Sequence, residues 1–284
     1  MSLPPDPFPE ALERRKARWE DYAGQPYLRL TEDFHGHPKG TLAWDDRVIP
    51  GYPRIGRIFR LQQGLAQQFS GPFWMEEKID GFNIRIFRAG DDILALSRGG
   101  YVCPFATDRA PDFIPPALFE AQPDLVLCAE LAGPDNPYTQ GGPSFVTTDV
   151  ELFVFDMMRL GTPGFLLQED KQALCLAYGL PVPRCFGRFE PRDWQTVLGL
   201  VEDLDAEGRE GAVFKEDIPR ATAPSMSPPG PGSMTLPSGR TTPWSYRGIS
   251  LPAASCAWRS TWTRRVASRI SAWSGNSARP FWRD

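Results

Sequence analysis

Between residues 73 and 103 apolar positions come in short runs, at 73–78, 82–88 and 93–97. Asp80-Gly81 and Gly90-Asp91-Asp92 interrupt them. Runs of that length separated by Asp/Gly turn residues predict consecutive strands, because glycine tolerates the positive φ of a tight turn. Two further runs, 125–131 and 150–157, read as strands, and 211–215 as the last one. Apolar positions at helical spacing predict helices over 167–178 and 191–207. A charged stretch over 7–23 predicts a helix ending near Gly24, with Glu10, Glu13 and the 14–18 basic cluster at i,i+3 and i,i+4 spacing. Weaker strands are expected at 40–43 and 55–61, and a loop around Pro111, Pro115 and Pro116. Helices lying between antiparallel-looking strands give the α+β class rather than a regular βαβ alternation. No internal repeat is visible.

Composition narrows the class. Of 284 residues, 41% are hydrophobic and 23% charged, which fits a folded soluble protein. No apolar run approaches the ~20 residues of a membrane helix. The N-terminus, Met1-Ser2-Leu3-Pro4-Pro5-Asp6, lacks the basic-then-apolar order of a secretory signal. Five cysteines without paired or metal-type spacing disfavour a disulfide framework or a zinc site, so a reducing cytoplasm is expected. Two histidines, His35 and His37, disfavour His-based catalysis.

The net charge of −4 hides a division: residues 1–216 carry −11 and residues 217–284 carry +7. No lysine follows Lys215, and nine Pro, 12 Ser and five of the nine Trp fall in the last segment. We therefore expect an N-terminal module over 1–59, a main domain over 60–216 and a compositionally foreign tail over 217–284.

Glu76-Glu77-Lys78-Ile79-Asp80-Gly81-Phe82-Asn83 places a lysine at a strand end beside a turn. A lysine amine, with a pKa of about 10.4, attacks only when its surroundings remove the proton. The tetrad alone is equally a surface lysine next to a hairpin. Four other segments add to it. Ser97-Arg98-Gly99-Gly100 offers a fixed cation and two permissive glycines. Glu130 is an acid at the end of an apolar strand, where a lone charge is costly. Phe153-Val154-Phe155-Asp156 could stack a purine or simply fill a core. Glu210-Gly211-Ala212-Val213-Phe214-Lys215 puts an acid and a lysine around one strand. Strict alternation sends Glu210 and Lys215 to opposite faces, so Glu210 must lie at a bulge or beyond the strand end.

In this order the segments resemble the covalent nucleotidyltransferase superfamily of polynucleotide ligases and mRNA capping enzymes, with five of its six motifs present over roughly residues 40–216. Arg98 to Phe105 and Glu130 to Tyr138 are most similar to the archaeal-type, homodimeric ATP-dependent RNA ligases. The resemblance implies an ATP-grasp-like ligase domain of antiparallel sheets with flanking helices. It implies that Lys78 attacks the α-phosphorus of ATP and forms lysyl-AMP. The AMP then passes to a 5′-phosphate RNA end, which a 3′-hydroxyl end finally joins. It also implies Glu77, Asp80, Gly81 and Asn83 around the nucleotide, Arg98 on phosphate or donor end, and Glu130 on the ribose. Phe155 would stack on adenine, Lys215 neutralise the α-phosphate, and Glu210 bind Mg²⁺ or Mn²⁺. Alternatives are a DNA ligase, a GTP-using capping enzyme, or a catalytically dead nucleic-acid-binding protein. With an acidic body, RNA contact is expected from a local cluster such as Arg85, Arg88, Arg98 and Arg109.

The sixth, lysine-bearing motif is missing. Moved two bases on, a coding string for Ala223–Pro228 reads Ala-Lys-Tyr-Val-Thr, and the same shift turns residues 234–245 into an acidic helix-like string. We read 217–284 as a frameshifted tail, with a natural Arg/Ser/Pro-rich nucleic-acid-binding tail as the alternative. A foreign frame is expected to leave that tail disordered, with its tryptophans unpacked and without the C-terminal pairing that makes the family dimeric.

Overall fold

The computed structural model describes residues 4–139, 143, 145–216 and 233–237. Helix α1 (Phe8–Glu13) leads into β1 (Ala17–Tyr22), β2 (Gln25–Leu30), β3 (Leu42–Trp44) and β4 (Arg47–Ile49), a sheet in the order β1-β2-β3-β4. The helix expected over 7–23 is thus overturned beyond Glu13. Arg15 takes a φ of 58°, and the chain turns back to pair Ala17 with Leu30 and Tyr22 with Gln25. Ladder pairing outweighs local helix propensity there. The Glu10–Arg14 pair does form, at 2.7 Å.

The remaining chain builds two five-stranded sheets. Its elements are β5 (Gly56–Arg57), α2 (Leu61–Gln68), β6 (Phe73–Lys78), β7 (Phe82–Ala89), β8 (Asp92–Ser97), α3 (Pro104–Phe113), α4 (Pro116–Ala121), β9 (Leu125–Ala132) and β10 (Glu151–Arg159). They continue with β11 (Thr162–Phe165), α5 (Gln168–Tyr178), β12 (Cys185–Phe189), α6 (Trp194–Ala206), β13 (Gly211–Glu216) and β14 (Ser233–Pro237). One sheet runs β11-β10-β9-β7-β8 and the other β12-β6-β13-β14-β5, antiparallel throughout except where β14 lies parallel to β5. The loop expected around Pro111 to Pro116 is instead α3 and α4. Each helix starts with a proline in its first turn, where no N–H partner is needed. Pro111 sits in the last turn of α3. Of the strand expected at 55–61, only the two residues of β5 pair.

From Leu125 to Ala129 strand β9 is apolar without interruption because both its faces are covered. Leu125, Leu127, Ala129 and Leu131 pack toward α3, α4 and α5, and Val126 and Cys128 toward the N-terminal sheet. In the second sheet Phe73 and Met75 of β6 and Ala212 and Phe214 of β13 pack on α2 and α6. Alternation then turns Glu76 and Lys78 of β6, and Val213 and Lys215 of β13, to the opposite face. Of the expected tail, only β14 lies among the described residues, paired with β13 from Gly211↔Pro237 to Lys215↔Ser233. Disorder, the five tryptophans and the rest of 217–284 lie outside them. The described cysteines 103, 128, 175 and 185 are free. No helix among the described residues is long and apolar enough to cross a membrane.

Candidate active site

β6 ends at Lys78 in one sheet, and four residues later β7 begins in the other. A cleft opens on this connection. Glu77, Lys78, Asn83, Arg98, Glu130, Phe155 and Lys215 all line it, together with Glu76 and Tyr52. The structure thus gathers seven of the ten expected site residues into one concavity. Asp80 is exposed and Gly81 lies under the turn, and neither lines the cleft.

Gly81 is needed for a different reason from the one its turn suggests. Its φ is not positive. A Cβ there would come 2.6 Å from the Leu131 carbonyl oxygen and 3.0 Å from Cγ of Glu130. The missing side chain lets the turn press against β9, beside the acid.

Lys78 forms an ion pair with Glu210, which lies one residue before β13. Gly211, with φ 146°, makes the bend. This settles the alternation conflict: Glu210 lies beyond the strand and Lys215 within it. Burial raises the pKa of Glu210 against the opposing pull of Lys78. Its Oε2 is buried without a hydrogen-bond partner. Burial also pushes Glu130 up to about 8, while Lys78 pulls it down and Glu210 adds to the rise. Asn83 is the cross-strand partner of Glu130 and brings Nδ2 to 3.5 Å from its carboxylate.

Below the cleft lies a buried ionic cluster that the sequence did not announce. Burial alone would raise the pKa of Glu76, but the ammonium groups of Lys215 and Lys171 hold it at about 2. Lys215 donates to Glu76 at 2.6 Å, Asp156 at 3.0 Å and the Phe155 carbonyl at 2.6 Å. Lys171, from α5, donates to Glu76 at 2.5 Å and the same carbonyl at 2.8 Å. Gln168 also donates to Glu76, and the Tyr52 hydroxyl to Asp156 at 2.7 Å. Glu77 faces away from this group. Its carboxylate meets Arg209 at 3.2 Å and Arg184 at 3.4 Å.

Phe155 is aimed by a β-bulge. Val154 pairs with Ala129 and Asp156 with Cys128, leaving Phe155 as an extra residue in β10. Phe155 and Asp156 therefore both turn to the cleft side, while Val154 and Met157 stay in the core. The Phe155 ring stands edge-on to Tyr52, with centroids 5.4 Å apart. Phe153 packs instead with Phe145, Ile79 and Ala132.

The expected basic cluster does not form. Arg85 is fully buried and donates to the carbonyls of Pro50, Gly40 and Ser97, so it cannot touch nucleic acid. Arg88 donates to Gly90 and Phe119 carbonyls, and Arg109 holds Asp149 at 2.8 Å. Arg98 lines the cleft, with Nη2 3.3 Å from the Pro53 carbonyl. Gly40 and Gly100 allow the N-terminal sheet to reach this loop, because a Cβ on Gly100 would lie 2.5 Å from the Gly40 oxygen.

Antiparallel sheets with flanking helices around a lysine-bearing cleft define the nucleotidyltransferase type of ligase fold. Residues 71–226 match the RNA ligase family model, and the chain belongs to that family. It is 45% identical to a protein of Aquifex aeolicus provisionally assigned as an ATP-dependent DNA ligase, with a TM-score of 0.75 over 81% of this chain and 61% of that one. An archaeal ATP-dependent RNA ligase is 29% identical, with a TM-score of 0.71 over 81% of this chain and 60% of that one. An uncharacterized protein of Methanocaldococcus jannaschii is 30% identical over 73% of this chain and 54% of its own length. The chain spans between half and about three-fifths of these relatives' length.

Proposed function

We propose that this chain is an ATP-dependent RNA ligase that joins 5′-phosphate and 3′-hydroxyl ends through lysyl-AMP. The observation that carries the reading is Lys78 at the junction of two sheets, paired with Glu210 and facing Glu130, Arg98, Phe155 and Lys215 across one cleft. An ammonium is not a nucleophile. The proton must first leave Nζ, and Glu210, in direct contact and made more basic by burial, is the group placed to receive it. Nζ then bonds to the α-phosphorus as the bond to pyrophosphate breaks. In the second step a 5′-phosphate oxygen takes the AMP and frees the lysine. In the third the 3′-hydroxyl displaces AMP.

In this reading Phe155 stacks on adenine with Glu77 near its edge, and Glu130 with Asn83 meets the ribose. Arg98 and Lys215 face phosphate. Asp80 and Gly81 shape the turn behind the nucleophile. The unpartnered buried Oε2 of Glu210 fits a divalent cation, Mg²⁺ or Mn²⁺, completed by water and phosphate oxygens. Such an ion would offset charge on the phosphate oxygens. The Aquifex relative's assignment supports a second reading, DNA as the substrate. A cytoplasmic location and loss of the family dimer remain part of the proposal.

Incubation with α-labelled ATP or GTP and a divalent cation, followed by denaturing electrophoresis, tests the chemistry. An acid-labile adduct from ATP is expected. It should vanish in Lys78→Ala and in Lys78→Arg, whose guanidinium stays protonated. Label mapped to Lys16, Lys39, Lys171 or Lys215 would reject the assignment. Sealing of nicked duplex DNA but not of single-stranded RNA would favour the second reading.

A further inference from the structure

Lys171 belongs to none of the motifs, yet it is 2% exposed and touches two groups that also hold Lys215. Glu76, Phe155 and Lys215 line the cleft, whereas Lys171 lies behind them on α5. Among the described residues, the ionised side chains joined in this cluster are Lys171, Lys215, Glu76 and Asp156. Two positive and two negative charges leave the cluster neutral. Without Lys171 it would carry one net negative charge directly under the cleft. Charges in a poorly solvated site act on one another far more strongly than in water.

We propose that Lys171 is a positioning residue that acts through Glu76: by offsetting that carboxylate it keeps the cleft floor from repelling the phosphate groups of a nucleotide. The proposal rests on the reading of the cleft as a nucleotide site. It assigns Lys171 an effect on phosphate and none on the base. A lysine needed only for packing would affect both alike. The structure also supplies a compensating change. Replacing Glu76 with glutamine while Lys171 is methionine leaves Lys215 against Asp156, and the cluster is neutral again.

The test is titration calorimetry of the full chain with ATP and, separately, with adenosine. Lys171→Met should weaken ATP by roughly tenfold, the scale of one added charge at such a site, and change adenosine by less than about twofold. The double variant Lys171→Met/Glu76→Gln should recover most of the ATP affinity. Equal loss for ATP and adenosine, or no recovery in the double variant, would overturn the proposal. Equal ATP affinity in wild type and Lys171→Met would overturn it while leaving the nucleotide reading intact. Wild-type chain that binds neither ligand would remove the nucleotide reading and this proposal together. Should Lys171→Met fail to fold, Glu76→Gln alone decides: the cluster gains one positive charge, so ATP must bind more tightly, and unchanged or weaker binding rejects the idea.

Discussion

Lys171 and Lys215 donate to the same carbonyl oxygen, that of Phe155, although one stands on a helix and the other on a strand of the opposite sheet. The bulge at Phe155 offers its carbonyl to side chains from two directions. An unpartnered buried carbonyl would cost about 1–3 kcal/mol. Lys215 by itself keeps this carbonyl paired, so the backbone that aims the ring does not depend on Lys171, whereas the Glu76 carboxylate between the two ammonium groups is offset by both.

Gly81→Ala should be damaging although φ at this position is ordinary. The new methyl group meets backbone, the Leu131 oxygen, at 2.6 Å. Relief requires moving the turn away from β9 and hence Lys78 away from Glu130. We expect a loss of about 1–3 kcal/mol, read from urea denaturation, together with a fall in nucleotide-adduct formation. Stability equal to wild type would show that the turn yields freely.

Glu76 and Glu130 should give opposite pH dependences. Glu76 has its pKa lowered from 4.5 to about 2, so its contribution to stability is present above pH 4.5 and is lost as pH falls toward 2. Glu130 has its pKa raised from 4.5 to about 8, so the folded chain keeps a proton that the unfolded chain has released. Its effect is a loss of stability as pH rises from 4.5 through 8. In denaturation series, the deficit of Glu76→Gln should shrink below pH 4.5. The advantage of Glu130→Gln should grow above it. Parallel curves for variant and wild type would contradict these assignments.

Arg85→Lys keeps the charge and loses the three-way reach to Pro50, Gly40 and Ser97. We expect destabilisation of about 2–3 kcal/mol with RNA affinity unchanged at fixed salt. A selective loss of RNA binding, with thermal stability preserved, would return Arg85 to the surface role its sequence suggests.

The tail is tested at the gene. If the nucleotide sequence around codons 217–228 yields Lys-Tyr-Val in another frame, restoring that frame should raise adduct formation and allow dimerisation, seen by light scattering. A gene without that string would leave the Arg/Ser/Pro-rich tail as the native one.

Strands and motifs that follow period-two alternation were legible in the sequence. β6 to β10, β13 and the helices α5 and α6 lie where apolar spacing put them, because burial of one or both faces dictates that spacing. Six of the seven cleft residues could be read because they lie near a strand end or turn with its own composition, and Phe155, mid-strand in β10, because it stands in an aromatic run closed by Asp156. What could not be read depends on contacts distant in sequence. The Arg15 reversal is decided by β2. Arg85 looks like any strand arginine until Gly40 and Pro50 arrive to bury it. Lys171 carries no local mark, since its partners lie 16 and 95 residues away. Of the missed group, Glu76 alone had a signal, an acid in the middle of a buried strand next to the motif.

The extra residue in β10 also separates folding from chemistry at the level of a single codon. Without Phe155, Val154 and Asp156 would become neighbours opposite Ala129 and Cys128, which are already neighbours, and the ladder would run without interruption. Val154 and Met157 would keep their places in the core and Asp156 its place toward Tyr52. An in-frame deletion of this one position would thus heal the sheet while removing both the ring and the carbonyl that two lysines share. Loss of activity by that route would leave the ladder intact, its cost confined to the acceptor that the two lysines lose and the ring's contact with Tyr52, and a silent descendant of this protein could persist as a folded scaffold.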